Sequence, residues 1–229
     1  RAALSAHPWP WLAGAGGALG LSALAGHPQT WLHGAYLCLA YYLWLARRAD
    51  WAWRDLLRLG AAMAAITLGL AAASWAPAAT YLRHTLREGV GYGFVSTGLP
   101  ALDYLQMLLP GALTLWSPQY LGVAGLLLAL LGWIARGEGR ASPAGEARFW
   151  ALAALVSACL ALGDKGVLFQ AVYHLPGWGL FRQQERLLGL FALALALLAS
   201  LGLAAWLSGR GVMRAHRRLG TAAALWAGG

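Results

Sequence analysis

Two arginines and a glutamate lie in a short polar string, Gly179 to Arg186, directly before a long apolar run. The run, Leu187 to Leu207, holds 21 residues without a charge, which suits a helix crossing a hydrocarbon core about 30 Å thick. Arg182 and Arg186 are four residues apart, so they share a face if the helix begins early enough. Guanidinium groups and a helix N-terminus both attract phosphate oxygens. The string therefore predicts a phosphate or pyrophosphate contact, with Glu185 pairing and interfacial anchoring as the alternative.

Two further pairs of polar residues are candidates for substrate contacts. Arg83 and Arg87 repeat the four-residue spacing and predict a second anion contact, or simply a solvated helical face. His27 and Gln29 stand in a tight turn around Pro28 and could hydrogen-bond a substrate, although turn formation explains them as well. Neither pair alone defines a reaction.

Asp103 and Asp164 are the candidates for proton transfer, since a carboxylate beside an acceptor hydroxyl can act as a general base. Lys165 follows Asp164 directly, so a local ion pair is the simpler expectation for that aspartate. Neither a paired-cysteine metal site nor a His-Glu-x-x-His pattern nor a nucleotide-binding glycine loop occurs in the sequence. We therefore expect no cofactor and no protein-bound metal site, with a divalent metal left open.

The composition points to a membrane protein. Of the 229 residues 60% are hydrophobic and 11% are charged, whereas a soluble domain carries about 25% charged residues. The net charge of +9 comes from arginines clustered at the ends of apolar runs rather than on one polar face. That distribution argues against a nucleic-acid-binding protein. The predicted fold class is all-α, a polytopic integral membrane helical bundle.

Apolar runs predict six transmembrane helices, and a seventh begins near residue 219. The six predicted spans cover residues 9–26, 31–46, 59–79, 119–135, 149–163 and 187–207. Glycines at close spacing predict tight helix packing at Gly14, Gly17, Gly20, Gly122 and Gly125. Because no segment resembles a separate soluble domain, residues 1–229 are expected to form a single transmembrane domain. The chain starts without Met and stops in an apolar stretch, so we expect a fragment of a longer protein.

The basic residues are divided unequally between the two predicted sides of the membrane. Twelve lie on one side and five on the other, whereas the acidic residues divide four and four. The positive-inside rule makes the arginine-rich side cytoplasmic. The extracytoplasmic segments are then 27–30, 80–118 and 164–186, and they contain every candidate residue named above. Within the second segment, residues 99–110 are too short to span and predict an amphipathic interfacial helix.

Several short motifs in and around these segments follow one another in a recognisable order. The motifs are Gly26-His27-Pro28-Gln29-Thr30; Arg83 and Arg87 followed by Tyr92; Leu109-Pro110 and Pro118-Gln119-Tyr120-Leu121-Gly122; Leu160-Ala161-Leu162-Gly163-Asp164; Leu175-Pro176-Gly177, Phe181-Arg182 and Glu185-Arg186; and Leu201-Gly202-Leu203. Together they cover residues 26 to 207. The ordered set resembles the YfhO family of bacterial membrane proteins, which are similar to GT-C-type glycosyltransferases.

The resemblance implies an enzyme of the bacterial cytoplasmic membrane that moves a sugar from a polyprenyl-phosphate donor to an envelope glycan or protein acceptor on the outer face. Arg182, Arg186 and either Arg83 or Arg87 would hold the phosphate leaving group. In such enzymes the catalytic acid usually lies in the first outer loop, which we expect upstream of this chain.

A different class of function is also compatible with the sequence. A non-catalytic transporter or flippase for lipid-linked glycans should have broken helices with polar residues at mid-membrane. The predicted spans contain few such residues, mainly His33 and Thr67, which favours the enzyme. A structural membrane subunit without chemistry is the third alternative.

Overall fold

A computed structural model describes residues 8–82, 84, 91–113, 120–134 and 143–208, and within these ranges the chain is helical without a strand. The chain divides into two compact units. Unit 1 consists of Arg1–Val95 and Leu175–Phe181, and unit 2 of Ser96–His174 and Arg182–Gly229. The all-α class is therefore confirmed for the described residues. The single transmembrane domain stays a prediction, and the seventh span lies outside the described residues.

The described part of unit 1 contains three long helices and two short ones. They are α1 Trp9–Leu24, α2 Pro28–Arg48, α3 Trp53–Leu82, α4 Tyr92–Val95 and a 3₁₀ helix at Trp178–Leu180. The α2 helix begins at Pro28, whose fixed φ suits a first helical turn. The preceding residue, His27, has a non-helical φ of −119° because proline disfavours helical geometry before it.

Unit 2 contains the remaining helices. They are a 3₁₀ helix Ala101–Met107, α5 Val123–Ile134, α6 Pro143–Ala161, 3₁₀ Gly163–Lys165, α7 Leu168–Val172, 3₁₀ Gln184–Leu187 and α8 Leu188–Leu207. The segment expected to form an amphipathic interfacial helix is thus a 3₁₀ helix of seven residues. In it Gln106 is completely buried, while Leu102 and Leu105 are exposed. Its polar side chain faces the protein and its leucines face outward.

Each of the six predicted spans coincides with a long helix among the described residues, with shifts of a few residues at the ends. Two helical stretches in the described residues have the length and apolarity to cross a membrane. These are Trp53–Tyr81, with a mean hydropathy of 1.8, and Gln184–Leu207, with 2.5; Val123–Ile134 is apolar but shorter.

In unit 1, α1 and α3 pack closely through two glycines of α1. A Cβ at Gly16 would lie 2.9 Å from the carbonyl oxygen of Met63, and one at Gly20 would lie 2.8 Å from Cβ of Leu70. The hydroxyl of Thr67 donates a 3.1 Å hydrogen bond to the Gly16 carbonyl. The two glycines follow the small-xxx-small spacing that brings membrane helices together.

Glycine contacts in unit 2 join α5 to α8. A Cβ at Gly202 would overlap the carbonyl oxygen of Leu128, and one at Gly132 would overlap that of Leu198. The two helix backbones are therefore in direct contact.

Of the glycines predicted to pack against a neighbouring helix, Gly20 does so. At Gly14, Gly17 and Gly122 a Cβ would meet nothing within 4 Å among the described residues, so the predicted packing is not seen there. A Cβ at Gly125 would meet only the side chain of Leu121, four residues away.

Many large apolar side chains lie on the outside of both units, and many of the buried apolar residues are alanines. Leu68, Leu127 and Leu155 are each more than half exposed, whereas Ala71 and Ala194 are completely buried. Exposing so many leucines to water is unfavourable. A surface of this kind therefore indicates contact with another apolar phase. Small buried residues and exposed leucines are the arrangement expected for helices packed in lipid.

Candidate functional site: a loop junction in unit 2

Three chain segments of unit 2 meet in a set of backbone hydrogen bonds, which we call the loop junction: residues 96–99, 161–165 and 183–184. The amide of Asp164 donates to the carbonyl of Ser96 (2.7 Å), and the amide of Leu99 donates to that of Ala161 (2.8 Å). The amide of Gln184 donates to Thr97 (2.8 Å). Two of the predicted outer segments, 80–118 and 164–186, are therefore joined to each other.

Two glycines make this close approach possible. Gly163 has a φ of +57°, and a Cβ there would overlap the carbonyl oxygen of Ser96. A Cβ at Gly98 would overlap the backbone of Leu162. Only glycine meets both the positive φ and the missing side-chain volume at residue 163.

The charged pair next to Gly163 forms part of the junction. The ammonium group of Lys165 lies 3.8 Å from a carboxylate oxygen of Asp164, so the ion pair expected from the sequence is present. The same ammonium donates a hydrogen bond to the carbonyl oxygen of Gly98. Both side chains are about half exposed, at 45% for Lys165 and 51% for Asp164. Lys165 thus places a positive charge at the surface of the junction.

The arginine string follows the junction and is not arranged as the sequence suggested. Arg182 lies between Phe181, whose backbone is extended, and the left-handed Gln183; the 3₁₀ helix begins at Gln184, and α8 begins only at Leu188. The helix therefore begins too late for Arg182 and Arg186 to share a helical face, and the condition on which that expectation depended is not met. Gln183 between them has a left-handed backbone with a φ of 66°, which reorients the chain after Arg182.

Side-chain contacts hold this left-handed turn in place. The guanidinium of Arg186 donates a 2.9 Å hydrogen bond to the side-chain oxygen of Gln183. The side chain of Gln184 is buried, while Arg182 and Arg186 are exposed and Glu185 is half-buried. A non-glycine residue in this conformation costs on the order of 1–3 kcal/mol, and such strain is concentrated at functional sites.

Tyr104 ties the 3₁₀ helix Ala101–Met107 to α6. Its hydroxyl donates a 2.6 Å hydrogen bond to the carbonyl oxygen of Ala158, and its ring packs edge-on against Phe191 at 5.9 Å. Burial, with a smaller contribution from Cys159, raises the pKa of Tyr104 to about 12. Asp103, the neighbouring candidate base, is half-buried, and its amide donates to the carbonyl of Pro100.

The His27–Gln29 pair belongs to unit 1. His27 is exposed at the start of α2, and its carbonyl accepts a hydrogen bond from the amide of Trp31 (3.1 Å). Gln29 is buried, with 4% of its surface exposed. One turn later His33 is also buried, and its ring lies 5.0 Å from the ring of Trp178. The contact between His33 and Trp178 places the 3₁₀ helix Trp178–Leu180 against α2.

The second arginine pair and a possible metal site are the last two predicted features. Arg83 and Arg87 lie outside the described residues, so their phosphate role stays a prediction. In the part of the chain that the structure describes, no group of three or more His, Cys, Asp or Glu residues could hold a metal ion.

The sequence did not indicate that residues 96–99 belong to the junction, nor that Tyr104 ties the 3₁₀ helix Ala101–Met107 to α6. The signal available for the first was the pair of glycines at 98 and 163, each beside an apolar run and a charged or proline residue.

The junction and the adjoining residues 182–186 combine three exposed cations, a strained turn and the carboxylates of Asp164 and Glu185 on predicted outer segments, which is a chemistry suited to anionic head groups. Comparison with protein-family models, with curated proteins and with solved structures finds no match to this chain.

Proposed function

We propose that this chain is part of a membrane-embedded glycosyltransferase of the GT-C type, related to the YfhO family. It would transfer a sugar from a polyprenyl-phosphate donor to a cell-envelope acceptor on the extracytoplasmic face of the bacterial cytoplasmic membrane. Membrane placement is supported by the composition, by the two long apolar helices and by the leucines on the outer faces of the helices.

One observation carries the proposed site. The loop junction holds the strained turn at Gln183, so that Arg182 and Arg186 flank a residue fixed by both a backbone conformation and a side-chain hydrogen bond. Lys165 adds a third cation to the same unit. Guanidinium groups held in place lose little entropy on binding phosphate and stabilise the charge that develops on a departing polyprenyl phosphate.

Asp164 and Asp103, the two candidates for the base that activates an acceptor hydroxyl, have different surroundings. Asp164 forms an ion pair with Lys165, and about half of its side chain is exposed. Asp103 lies in the 3₁₀ helix held by Tyr104. Within the described residues, we propose Asp164 as the better candidate, because it belongs to the junction itself.

The test uses the full-length protein in proteoliposomes with a radiolabelled polyprenyl-phosphate hexose. Replacing both Arg182→Ala and Arg186→Ala should lower sugar turnover at least about 10-fold, since each charge-assisted hydrogen bond is worth roughly 1.5–3 kcal/mol. The matched control is Arg148→Ala, an exposed arginine of α6 on the predicted cytoplasmic side. Normal turnover in a correctly inserted double variant would refute the phosphate site.

The same preparation separates transfer from transport. A transferase releases free polyprenyl phosphate, whereas a flippase moves the intact lipid-linked sugar between leaflets. Thr67, one of the two polar residues that a transporter reading would use, donates its hydroxyl to the Gly16 carbonyl and holds α1 to α3. This hydrogen bond gives Thr67 a structural role. The transferase proposal is therefore better supported than the flippase alternative.

A further inference from the structure

Unit 1 contains a cavity of about 410 Å³ between α1 and α2. This volume falls within the roughly 300–1,000 Å³ typical of ligand sites. The wall is almost entirely apolar and largely aromatic; it includes Trp11, Leu19, Cys38, Tyr41, Tyr42 and Trp51. None of these residues belongs to the phosphate site proposed above.

The cavity is elongated along the helices. Its wall follows α1 from Trp11 to Leu19, eight residues that rise about 12 Å in a helix. The hydroxyl of Tyr42 donates a 2.6 Å hydrogen bond to the carbonyl of Leu56, so this side chain presents its ring rather than its polar end. An apolar space that extends about 12 Å along a helix suits a hydrocarbon chain better than a compact polar ligand.

Arginines gather at one end of this cavity, where α1 starts, α2 ends and α3 starts. The guanidinium carbon of Arg58 lies 5.2 Å from the ring centre of Trp9, two residues before the cavity wall begins at Trp11. The guanidinium carbon of Arg48 lies 4.6 Å from the ring centre of Trp44. Stacking on an indole orients a guanidinium, whose in-plane N–H donors match phosphate oxygens.

We propose that this cavity binds one acyl chain of an anionic phospholipid from the surrounding bilayer, with Arg58 at its phosphate. By the positive-inside assignment, the lipid belongs to the cytoplasmic leaflet, where anionic head groups attract basic residues between helices. The site rests on the membrane placement proposed above but not on sugar transfer.

The test is a thermal unfolding titration of the purified full-length protein in detergent micelles. Phosphatidylglycerol or phosphatidylcholine with identical acyl chains is added. A lipid that binds only the folded state raises its midpoint. We expect phosphatidylglycerol at about 100 times its dissociation constant to raise the midpoint by about 5 °C or more, and phosphatidylcholine to raise it much less.

Two pairs of variants separate the head-group contact from the chain contact. Arg58→Gln should lose most of the phosphatidylglycerol shift, and Arg148→Gln should keep it. Both are exposed arginines at the sixth residue of their helices, α3 and α6. Ala15→Phe fills the cavity and should abolish the shift, whereas Ala18→Phe, on α1 but outside the cavity wall, should preserve it.

Equal shifts with the two lipids would overturn the proposal, as would equal losses in Arg58→Gln and Arg148→Gln, because either result would mean unspecific lipid or charge effects. If Ala15→Phe lowers the unfolding midpoint without lipid, the variant is itself destabilised, and photolabelling of the wild-type protein then tests the chain contact. A phosphatidylglycerol with a diazirine in its acyl chain should modify peptides of α1 and α2 in the wild-type protein, and labelling confined to other helices would refute the site. A protein that binds the lipid but shows no sugar turnover would refute only the glycosyltransferase proposal.

Discussion

The amide of Asp164 donates a 2.7 Å hydrogen bond to the carbonyl oxygen of Ser96, across 67 residues of intervening sequence. This bond requires Gly163 to adopt a positive φ with no side chain facing Ser96. The position of a candidate catalytic carboxylate therefore depends on a glycine that has no chemistry of its own.

Substituting Gly163 should disturb the loop junction. Gly163→Ala would force a left-handed backbone on alanine and drive its Cβ into the Ser96 carbonyl oxygen. We expect a loss of about 1–3 kcal/mol in the free energy of unfolding, and more if the junction cannot relax. The measurement is the unfolding midpoint in detergent. Gly189→Ala, in a helix where a Cβ meets nothing within 4 Å, should leave it unchanged or raise it.

The two partners of the Asp164–Lys165 pair should contribute unequally to stability. Lys165→Met removes both the ion pair and the hydrogen bond to the Gly98 carbonyl, and should cost about 1 kcal/mol. Asp164→Asn removes only a half-exposed ion pair and should cost less than about 1 kcal/mol. Chemical unfolding of both variants ranks them, and a larger loss in Asp164→Asn would contradict this assignment.

Alkaline pH should weaken the contribution of Tyr104 to folding. An unfolded tyrosine has a pKa of about 10, whereas burial raises the pKa of Tyr104 to about 12 in the folded protein. The unfolded state therefore loses its proton first as the pH rises. The stabilisation is complete below about pH 10 and is lost between about pH 10 and 12.

The variant Tyr104→Phe isolates this effect. It removes the hydrogen bond to Ala158 and should cost about 0.5–1.5 kcal/mol at pH 8. Its difference from the wild-type protein should narrow as the pH rises towards 12. Tyr120→Phe, at an exposed tyrosine, is the matched control. A stability difference for Tyr104→Phe that does not vary with pH would show that the hydroxyl does not titrate as proposed.

The contact between α5 and α8 should not tolerate a larger side chain at its glycines. Gly202→Val would place side-chain atoms against the carbonyl oxygen of Leu128 and separate the helices. Overpacking of this kind costs about 1–3 kcal/mol or more. At Gly125, a Cβ would make only an ordinary 3.6 Å contact with Leu121, so Gly125→Ala should be close to neutral. Thermal midpoints of the two variants in the same detergent test the difference.

The sequence by itself determined where the helices lie. Apolar runs located the long helices of the described residues, because a helix that buries most of its surface or exposes it to lipid must be apolar along its length. Local chemistry also determined the start of α2 at Pro28 and the ion pair of Asp164 with Lys165, since each depends only on neighbouring residues.

Tertiary structure decided which of these residues form a site. Glycines look alike in sequence, yet Gly16, Gly132 and Gly202 contact a neighbouring helix and Gly14 does not, because the contact depends on how two helices cross. The turn at Gln183 likewise follows from a hydrogen bond between the next residue and Thr97, far away in the chain. Arg182 and Arg186 were visible as a pair from their spacing alone. Their placement on either side of a strained turn, rather than on one helical face, was set by that long-range contact.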